Sequence, residues 1–592
     1  MAIDQTCFDR MLPGARARVL ALAERALAHH VDLLGSGEIV LGDPIDWHRD
    51  FKSGERWAPA FCKDIAYNDL DRPTDVKVPW ELSRMQWMIP LGQAYLLSGD
   101  ERYAAELRRL IEHWIAENPY AASVNWACTM DVALRAICWL WFSHAVGHSE
   151  SWSDRTFRAK FLENVYLHGD FISRHLEKSD VNGNHYTADA AGLAMIGQFL
   201  SHHPKARRWC EEGWAILSAE IMLQVFPDGV DFEASVPYHR LVLELFLWPA
   251  LYRLRGGLPV QLAYRERLAA MARFTEAYSR PDGTAPLWGD ADDARTLPFG
   301  GQSINDHRYL IGLVGLALDD AQLVDAGAAN GEEVGWALGL EALARLPVDK
   351  QTAKGSIAFP EGGFYVLRDS RNHVFIDCGP LGLAGRGGHG HSDLLAFEAA
   401  IDGVTLVSDC GAYQYTANFR ERNAFRSTAY HNTPQIDGEE IYRFFGERDL
   451  WSLRDDGAFE ALEFKQGAER SSFAGIHHAY GRLEDPVSVW RRFELDHRHA
   501  VLTIEHRFDC QQPHSCTIPF HFAIGVEAEL SDGAVRLVRA DQSFTLRWTG
   551  PGWRGRIMPA RVSPSYGVAV PTMKLVLECD RDLQPLTVAL SR

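Results

Sequence analysis

The sequence predicts a two-part α and β protein, an array of helices followed by an antiparallel β-sandwich. Three observations predict it. From about Ala15 to Leu346 apolar residues recur at helical spacing, as the buried stripe of an amphipathic helix requires. After Pro347 the texture changes to short runs that alternate apolar and polar between turn residues, the pattern of half-buried strands. At 592 residues and 46% hydrophobic content, the chain can bury large cores and divides into two or more units.

In chain order, MAIDQTCFDRMLPGARARVLALAERALAHH reads as an amphipathic helix, its apolar positions interrupted by Arg and Glu. It lacks the unbroken apolar centre of an export signal. A cytoplasmic location is therefore expected, or a periplasmic one if another export route operates. Trp80–Asp100, Cys128–Gly147, His185–Leu200 and Tyr238–Leu254 are the clearest of about ten helices joined by short connections. Such helices pair as hairpins, in a solenoid or closed into a toroid. The polar stretch DKQTAKGS, Asp349 to Ser356, marks the boundary, giving units 1–348 and 349–592. The strands expected beyond it lie in GGFYVLRD, HVFIDCG, LAFEAAIDGVTLVSDCG, VSVWRRFELD, AVLTIEHRFD, AVRLVRA, SFTLRWTG and KLVLECD, enough for a sandwich.

Charge excludes some partners. With 60 Lys+Arg against 79 Asp+Glu the net charge is -19, which opposes non-specific binding to nucleic acid or an anionic membrane. No window reaches ~18 uncharged apolar residues, so no membrane span is expected. The ten cysteines are scattered without CxxC pairs and read as reduced, mostly buried thiols.

Chemistry concentrates in a few stretches. GRGGHGHSD, Gly385 to Asp393, sets His389 and His391 two residues apart among four glycines, which let the backbone bring both imidazoles to one place. Imidazole carries protons near neutral pH and is the commonest metal ligand. His391, Asp409 and His431 supply two imidazoles and a carboxylate, a set that suits Zn²⁺. VNGNHYTAD places Asn184 and His185 at a helix entry, and DGVDFEASVPYHR places Glu233 and Tyr238 before another. Helix entries favour anionic ligands. Trp126, in SVNWA, is the expected sugar-stacking tryptophan, and FRERNAFRST offers Arg420, Arg422 and Arg426 as carboxylate-binding guanidinium groups. Asp290, Asp292 and Asp293 in PLWGDADDAR are either turn formers or a glycosidase acid/base pair.

Several blocks, in order, resemble the heparinase II/III family of polysaccharide lyases: WELSRMQWMIPLGQAYLLSGDERYA, VNWACTMDVALRAICWLW, GNHYTADAAGL, DFEASVPYHRLV, GHGHSDLLAFEAAIDGVTLVSDCGAY and FRSTAYHNT. The resemblance runs from roughly Trp80 to Thr433. It implies an incomplete α/α toroid followed by an antiparallel β-sandwich, with a cleft between. By the same resemblance Asn184 and His185 contact the substrate's acidic group, Tyr238 transfers a proton, His389 is a base, and His391, Asp409 and His431 hold Zn²⁺.

The expected function is then cleavage of a uronic-acid-containing polysaccharide by β-elimination. Proton abstraction at C5 becomes feasible when the neighbouring carboxylate charge is neutralised. Asn184 and His185 would neutralise it, and Tyr238 and His389 would share the base and acid work. Which of the two acts as base stays open. Glu233, Trp126 and Arg426 are expected to contact substrate. Zn²⁺ is expected mainly to fix the glycine turn, with direct Lewis-acid action as the alternative. Rival functions are a toroid glycoside hydrolase using Asp290 or Asp293 with Glu233, and a non-catalytic glycan-binding protein. The partner expected is an acidic polysaccharide or oligosaccharide, with homo-oligomerisation open.

Overall fold

The computed structural model describes residues 3–328, 331–347 and 355–592. Its helices fall into two kinds. Thr129–Val146, Asn184–Phe199 and Val236–Arg255 are buried on nearly every face. Glu101–Glu117 instead buries one stripe, Tyr103, Ala104, Leu107, Leu110, Ile111 and Trp114. A helix apolar all round must be enclosed, whereas a one-striped helix faces water. The first kind therefore lines an inner ring, in which Ile89–Ser98, Thr129–Val146, Asn184–Phe199, Val236–Arg255 and Tyr309–Leu318 pack in succession. Glu101–Glu117, Arg155–Arg174, Pro204–Gln224 and Leu262–Tyr278 alternate with them outside. This is the incomplete α/α toroid, with Phe8 and Trp336 in ring contact at 5.3 Å between its first and last segments.

The helix expected over Trp80–Asp100 is broken in two, Lys77–Arg84 and Ile89–Ser98. Met85 adopts a left-handed backbone (φ 63°) and a 3₁₀ turn follows. Pro90 explains the restart, because proline fits the first turn of a helix and not its interior.

After the helices come three antiparallel sheets. Ile357–Phe359, Phe364–Arg368, His373–Asp377, Phe397–Ile401 and Val404–Val407 form the first, each paired with the next. Its central strands are buried on both faces. One face meets the toroid through Phe274, Tyr278 and Trp288. The other meets the eight-stranded sheet, where Tyr365 stacks on Phe473 at 4.1 Å. In the eight-stranded sheet Val487–Asp496 alternates buried and half-buried residues without a break, as one solvated face demands. A four-stranded sheet, Arg554–Ser565, Val568–Cys579, Cys516–His521 and Gln435–Ile436 in spatial order, completes the sandwich.

Several of these strands escape the alternation test. Phe459–Lys465 is mostly exposed and Arg470–Tyr480 mostly buried, so neither shows a clean period of two. The expected boundary after residue 348 falls within 348–354, outside the described residues. All ten cysteines are free and seven are buried. Among the described residues no helix is long and apolar enough to cross a membrane.

Candidate active site between toroid and sandwich

The toroid wall of the site is set by two helix starts. Gly183 caps the helix Asn184–Phe199, and a Cβ there would stand 2.6 Å from Glu233 Oε1, so only glycine fits. The space belongs to Glu233. Its Oε1 accepts from the Asn184 backbone N–H at 2.6 Å and its Oε2 from Asn184 Nδ2 at 2.8 Å. Asn184 Nδ2 also faces His389 Nε2 at 3.5 Å. Ser235 caps the next helix by accepting from the Tyr238 N–H at 3.2 Å, and donates its hydroxyl to the Asp290 carbonyl at 2.6 Å. Tyr238 is thereby fixed beneath the sandwich.

The sandwich wall is the glycine turn. Gly390 separates the two histidines, and a Cβ on it would sit 2.1 Å from the Leu381 carbonyl oxygen. The Asp290 N–H donates to the His389 carbonyl at 3.0 Å, tying this turn to the loop from the toroid. Asp290 then gathers the charged groups. Its Oδ2 lies 3.0 Å from His389 Nδ1 and its Oδ1 3.0 Å from His391 Nε2. Arg422 donates to both oxygens, at 2.6 and 2.7 Å. Burial alone would raise the Asp290 carboxyl, but the Arg422 guanidinium and the two imidazole N–H groups outweigh it, holding the group well below the usual carboxylate range. An ionised carboxylate only accepts. Neutral His389 therefore carries its proton on Nδ1, leaving the Nε2 lone pair for chemistry.

The rings of His389 and Tyr238 stack at 3.8 Å with 18° between planes. Two motifs far apart in sequence thus meet face to face. Tyr238 Oη lies 3.3 Å from Tyr415 Oη. Burial first, then the Asp292 and Asp290 carboxylates, push Tyr238 well above the ordinary tyrosine value. At rest it is a protonated phenol.

Behind the turn, His391, Asp409 and His431 are buried, with donor atoms within 4.8 Å of one another. His391 Nδ1 has no hydrogen-bond partner, and His431 Nδ1 lies 2.7 Å from Asp409 Oδ2. Burial holds His391 below the ordinary histidine value, the neutral form a metal needs. Its other nitrogen donates to Asp290, the outer-carboxylate arrangement typical of metal-bound histidine. These residues fit Zn²⁺.

In front lies a cleft of about 280 Å³ lined by Lys77, Trp80, Glu177, His185, Tyr238, His389, Tyr415 and Trp451, among others. The His185 side chain is 51% exposed, with Nδ1 3.0 Å from Glu177 Oε2. Burial opposes its charge, yet the Glu177 carboxylate outweighs burial and pushes the imidazole up to about 9. His185 is thus a cation at neutral pH, facing the cleft.

Three expected contact residues sit elsewhere. Trp126 is fully buried, donating its indole N–H to the Asn118 carbonyl at 3.3 Å among His168 and Phe171. It is a core residue and cannot stack on a sugar. The exposed tryptophan at the cleft is Trp451, which spacing did not flag; the Arg422 guanidinium lies 4.6 Å from its ring centroid. Arg426 is fully buried and donates to the carbonyls of Asp449 and Leu450, so it shapes the Trp451 loop rather than meeting a carboxylate. Glu233 is also fully buried and engaged with Asn184, a positioning residue and not a substrate contact. The carboxylates of the hydrolase alternative are also engaged: Asp290 is held as an anion, and Asp293, half-buried, accepts from the Tyr566 N–H at 2.9 Å through Oδ2. Lys77, whose Nζ lies 2.7 Å from Asp292 Oδ2, and Tyr415 were missed; only the nearness of Tyr415 to Asp409 in sequence pointed to it.

Comparison with known proteins gives the lineage. Residues 16–298 match the model described as heparinase II/III N-terminus, and residues 351–585 the model described as heparinase II/III-like, C-terminal. The chain belongs to the heparinase II/III family. A heparin-sulfate lyase of Bacteroides stercoris is 26% identical over 438 residues, which cover 68% of this chain and 60% of the relative. This chain therefore matches less than two thirds of that relative's length. Among solved structures, heparinase III superposes with a TM-score of 0.74 at 17% identity, covering 97% of this chain and 84% of that one. Heparan sulfate lyase HepC of Pedobacter heparinus gives 0.61 at 18%, covering 97% and 82%. At these identities the superpositions establish the shared fold.

Proposed function

We propose that the protein is a polysaccharide lyase that cleaves a uronic-acid-containing polymer by β-elimination. The observation that carries the proposal is the stacked pair of Tyr238 and His389 at a cleft faced by the His185 cation. His185 neutralises the substrate carboxylate, so that charge developing at C5 spreads into it. Asn184, expected from the sequence to share that contact, is buried with its amide N–H on Glu233 and supports the corner from behind. His389, its Nδ1–H held by Asp290, takes the C5 proton on Nε2. The C5–H electrons form the C4=C5 double bond as the C4–O4 bond breaks. Tyr238, protonated at rest, gives its proton to O4. The stacked rings approach the sugar from one side, which suits a uronate whose H5 and O4 share a face, as in glucuronate. General acid and base terms of this kind contribute roughly 10² to 10⁴ each in rate.

Zn²⁺ held by His391, Asp409 and His431 would supply fixed charge and anchorage at the glycine turn. Asp290 transmits that anchorage, because it touches both histidines. The names of the relatives favour a glycosaminoglycan of the heparan type, and the net charge of -19 favours a sparsely sulfated one.

The test is an absorbance assay on a panel of uronic polymers, glucuronate-rich and iduronate-rich, sulfated and unsulfated. The expected result is rising ultraviolet absorbance from the new double bond, fastest on the unsulfated glucuronate polymer. New reducing ends without absorbance would overturn the proposal in favour of hydrolysis.

A further inference from the structure

The toroid side of the cleft holds a second group of metal-ligating side chains, Cys128, Glu177 and His185. Cys128 Sγ lies 3.8 Å from Glu177 Oε2 and 3.8 Å from His185 Nδ1, and those two atoms are 3.0 Å apart. In a tetrahedral site with bonds of about 2.3 Å to sulfur and about 2.0 Å to nitrogen or oxygen, neighbouring donors stand about 3.3 to 3.6 Å apart. Each edge of the triangle needs a shift of only a few tenths of an ångström to close on an ion. A fourth position opens into the cleft, where a water can bind.

The backbone supports the carboxylate at this corner. Cys128 is the cap residue of Thr129–Val146, and Glu177 Oε2 accepts from the Met130 N–H at 3.1 Å. Burial and the Glu177 and Asp131 carboxylates push the Cys128 thiol well above its ordinary value, so its thiolate forms when a metal displaces the proton. One thiolate, one carboxylate and one neutral imidazole leave a divalent ion almost charge-balanced. The thiolate selects for thiophilic metals, Zn²⁺ and Cd²⁺, over Mg²⁺ or Ca²⁺.

We propose that Cys128, Glu177 and His185 form a thiophilic divalent-metal site within the cleft, and that its occupation excludes the substrate carboxylate from His185. The exclusion rests on the lyase reading above, whereas the site itself does not. Binding forms metal–sulfur, metal–oxygen and metal–nitrogen bonds, breaks the His185–Glu177 hydrogen bond, and releases the thiol proton and the Nδ1 proton of the His185 imidazolium to solvent. The set His391, Asp409 and His431 contains no sulfur, so a sulfur-specific signal distinguishes the two sites.

The test is titration of the full-length protein, with its resident metal in place, by Cd²⁺, following the ultraviolet thiolate-to-cadmium band. The expected result is a band saturating at one equivalent in the parent, absent in Cys128→Ser, with turnover lost in parallel in the parent and retained in the variant. Serine is a good helix cap, so this variant should keep its fold. An equal band in parent and variant would overturn the site. A band lost in the variant with turnover still inhibited equally would overturn the exclusion. If the parent has no lyase activity, the spectrum still decides the site, and the lyase reading alone fails.

Discussion

On the sandwich side of the cleft, the His389 side chain is 11% exposed and held by a carboxylate that is itself bound to Arg422 and His391. On the toroid side, the His185 side chain is 51% exposed and paired with Glu177. A buried, hydrogen-bonded network is costly to break and leaves its members one geometry. An exposed pair is screened by water and exchanges partners easily. The difference suits the two tasks proposed for them, base for His389 and carboxylate receptor for His185. A base needs one tautomer at one place, while a cation that receives a polyanion must be free to leave Glu177 for the substrate.

The largest expected effect lies where the two walls meet. Tyr238→Phe removes a phenolic oxygen from a stacked pair, and kcat should fall by roughly 10² to 10⁴ with KM and melting temperature near the parent's. Turnover within a few-fold of the parent would remove Tyr238 from the chemistry.

Next comes the locked wall. Asp290→Asn frees the His389 tautomer and should lower kcat by about 10²-fold, since small misplacements of a catalytic group cost that much, with KM little changed. The unpaired Arg422 should also cost about 3–5 kcal/mol of stability. In a His389→Ala background the same substitution should slow turnover no further; an additive loss would show that Asp290 does not act through His389. His391→Ala should lose bound Zn²⁺ and melting temperature together, whereas His389→Ala should keep both. Elemental analysis and calorimetry on the two variants decide, and equal metal loss would place His389 in the metal site.

The open wall should fail more gently and with pH. Because Glu177 raises His185 to about 9, the cation persists at neutral pH and is lost as pH rises through that value. KM for an anionic substrate should therefore climb above about pH 9. In Glu177→Gln the raising charge is gone, so the climb should begin near the ordinary histidine value of about 6.5. A limb unmoved by this substitution would assign it to another group. The smallest effect is expected at the rim. Trp451→Ala should raise KM by up to about tenfold, the range of an aromatic contact, without lowering the melting temperature. Trp126→Ala should do the reverse, costing about 3–5 kcal/mol of stability while the folded fraction keeps its KM.

The residues that meet at the cleft were legible as motifs before any contact was visible. HGH, NHY and VPYHR are unusual enough in composition to stand out, and their order along the chain matched a family pattern. Which neighbours orient them was not legible. Asp290 looked like a turn former because its partners, His389 and Arg422, are 99 and 132 residues away. Arg422 and Arg426 lie one helical turn apart on Phe419–Phe425 and its cap, and nothing local says which faces the carboxylate.

The sequence by itself determined the elements, the order of helices before strands, and the side chains able to move a proton or hold an ion, because periodicity and residue chemistry are local properties. Tertiary structure alone decided that Asp290 is a hub, that Arg422 and not Arg426 reaches it, and that Trp451 faces the cleft while Trp126 is core. The physical reason is that burial and pairing depend on which distant surfaces pack together. A loop residue of unchanged chemistry becomes anchor, base or filler according to what the other domain brings against it.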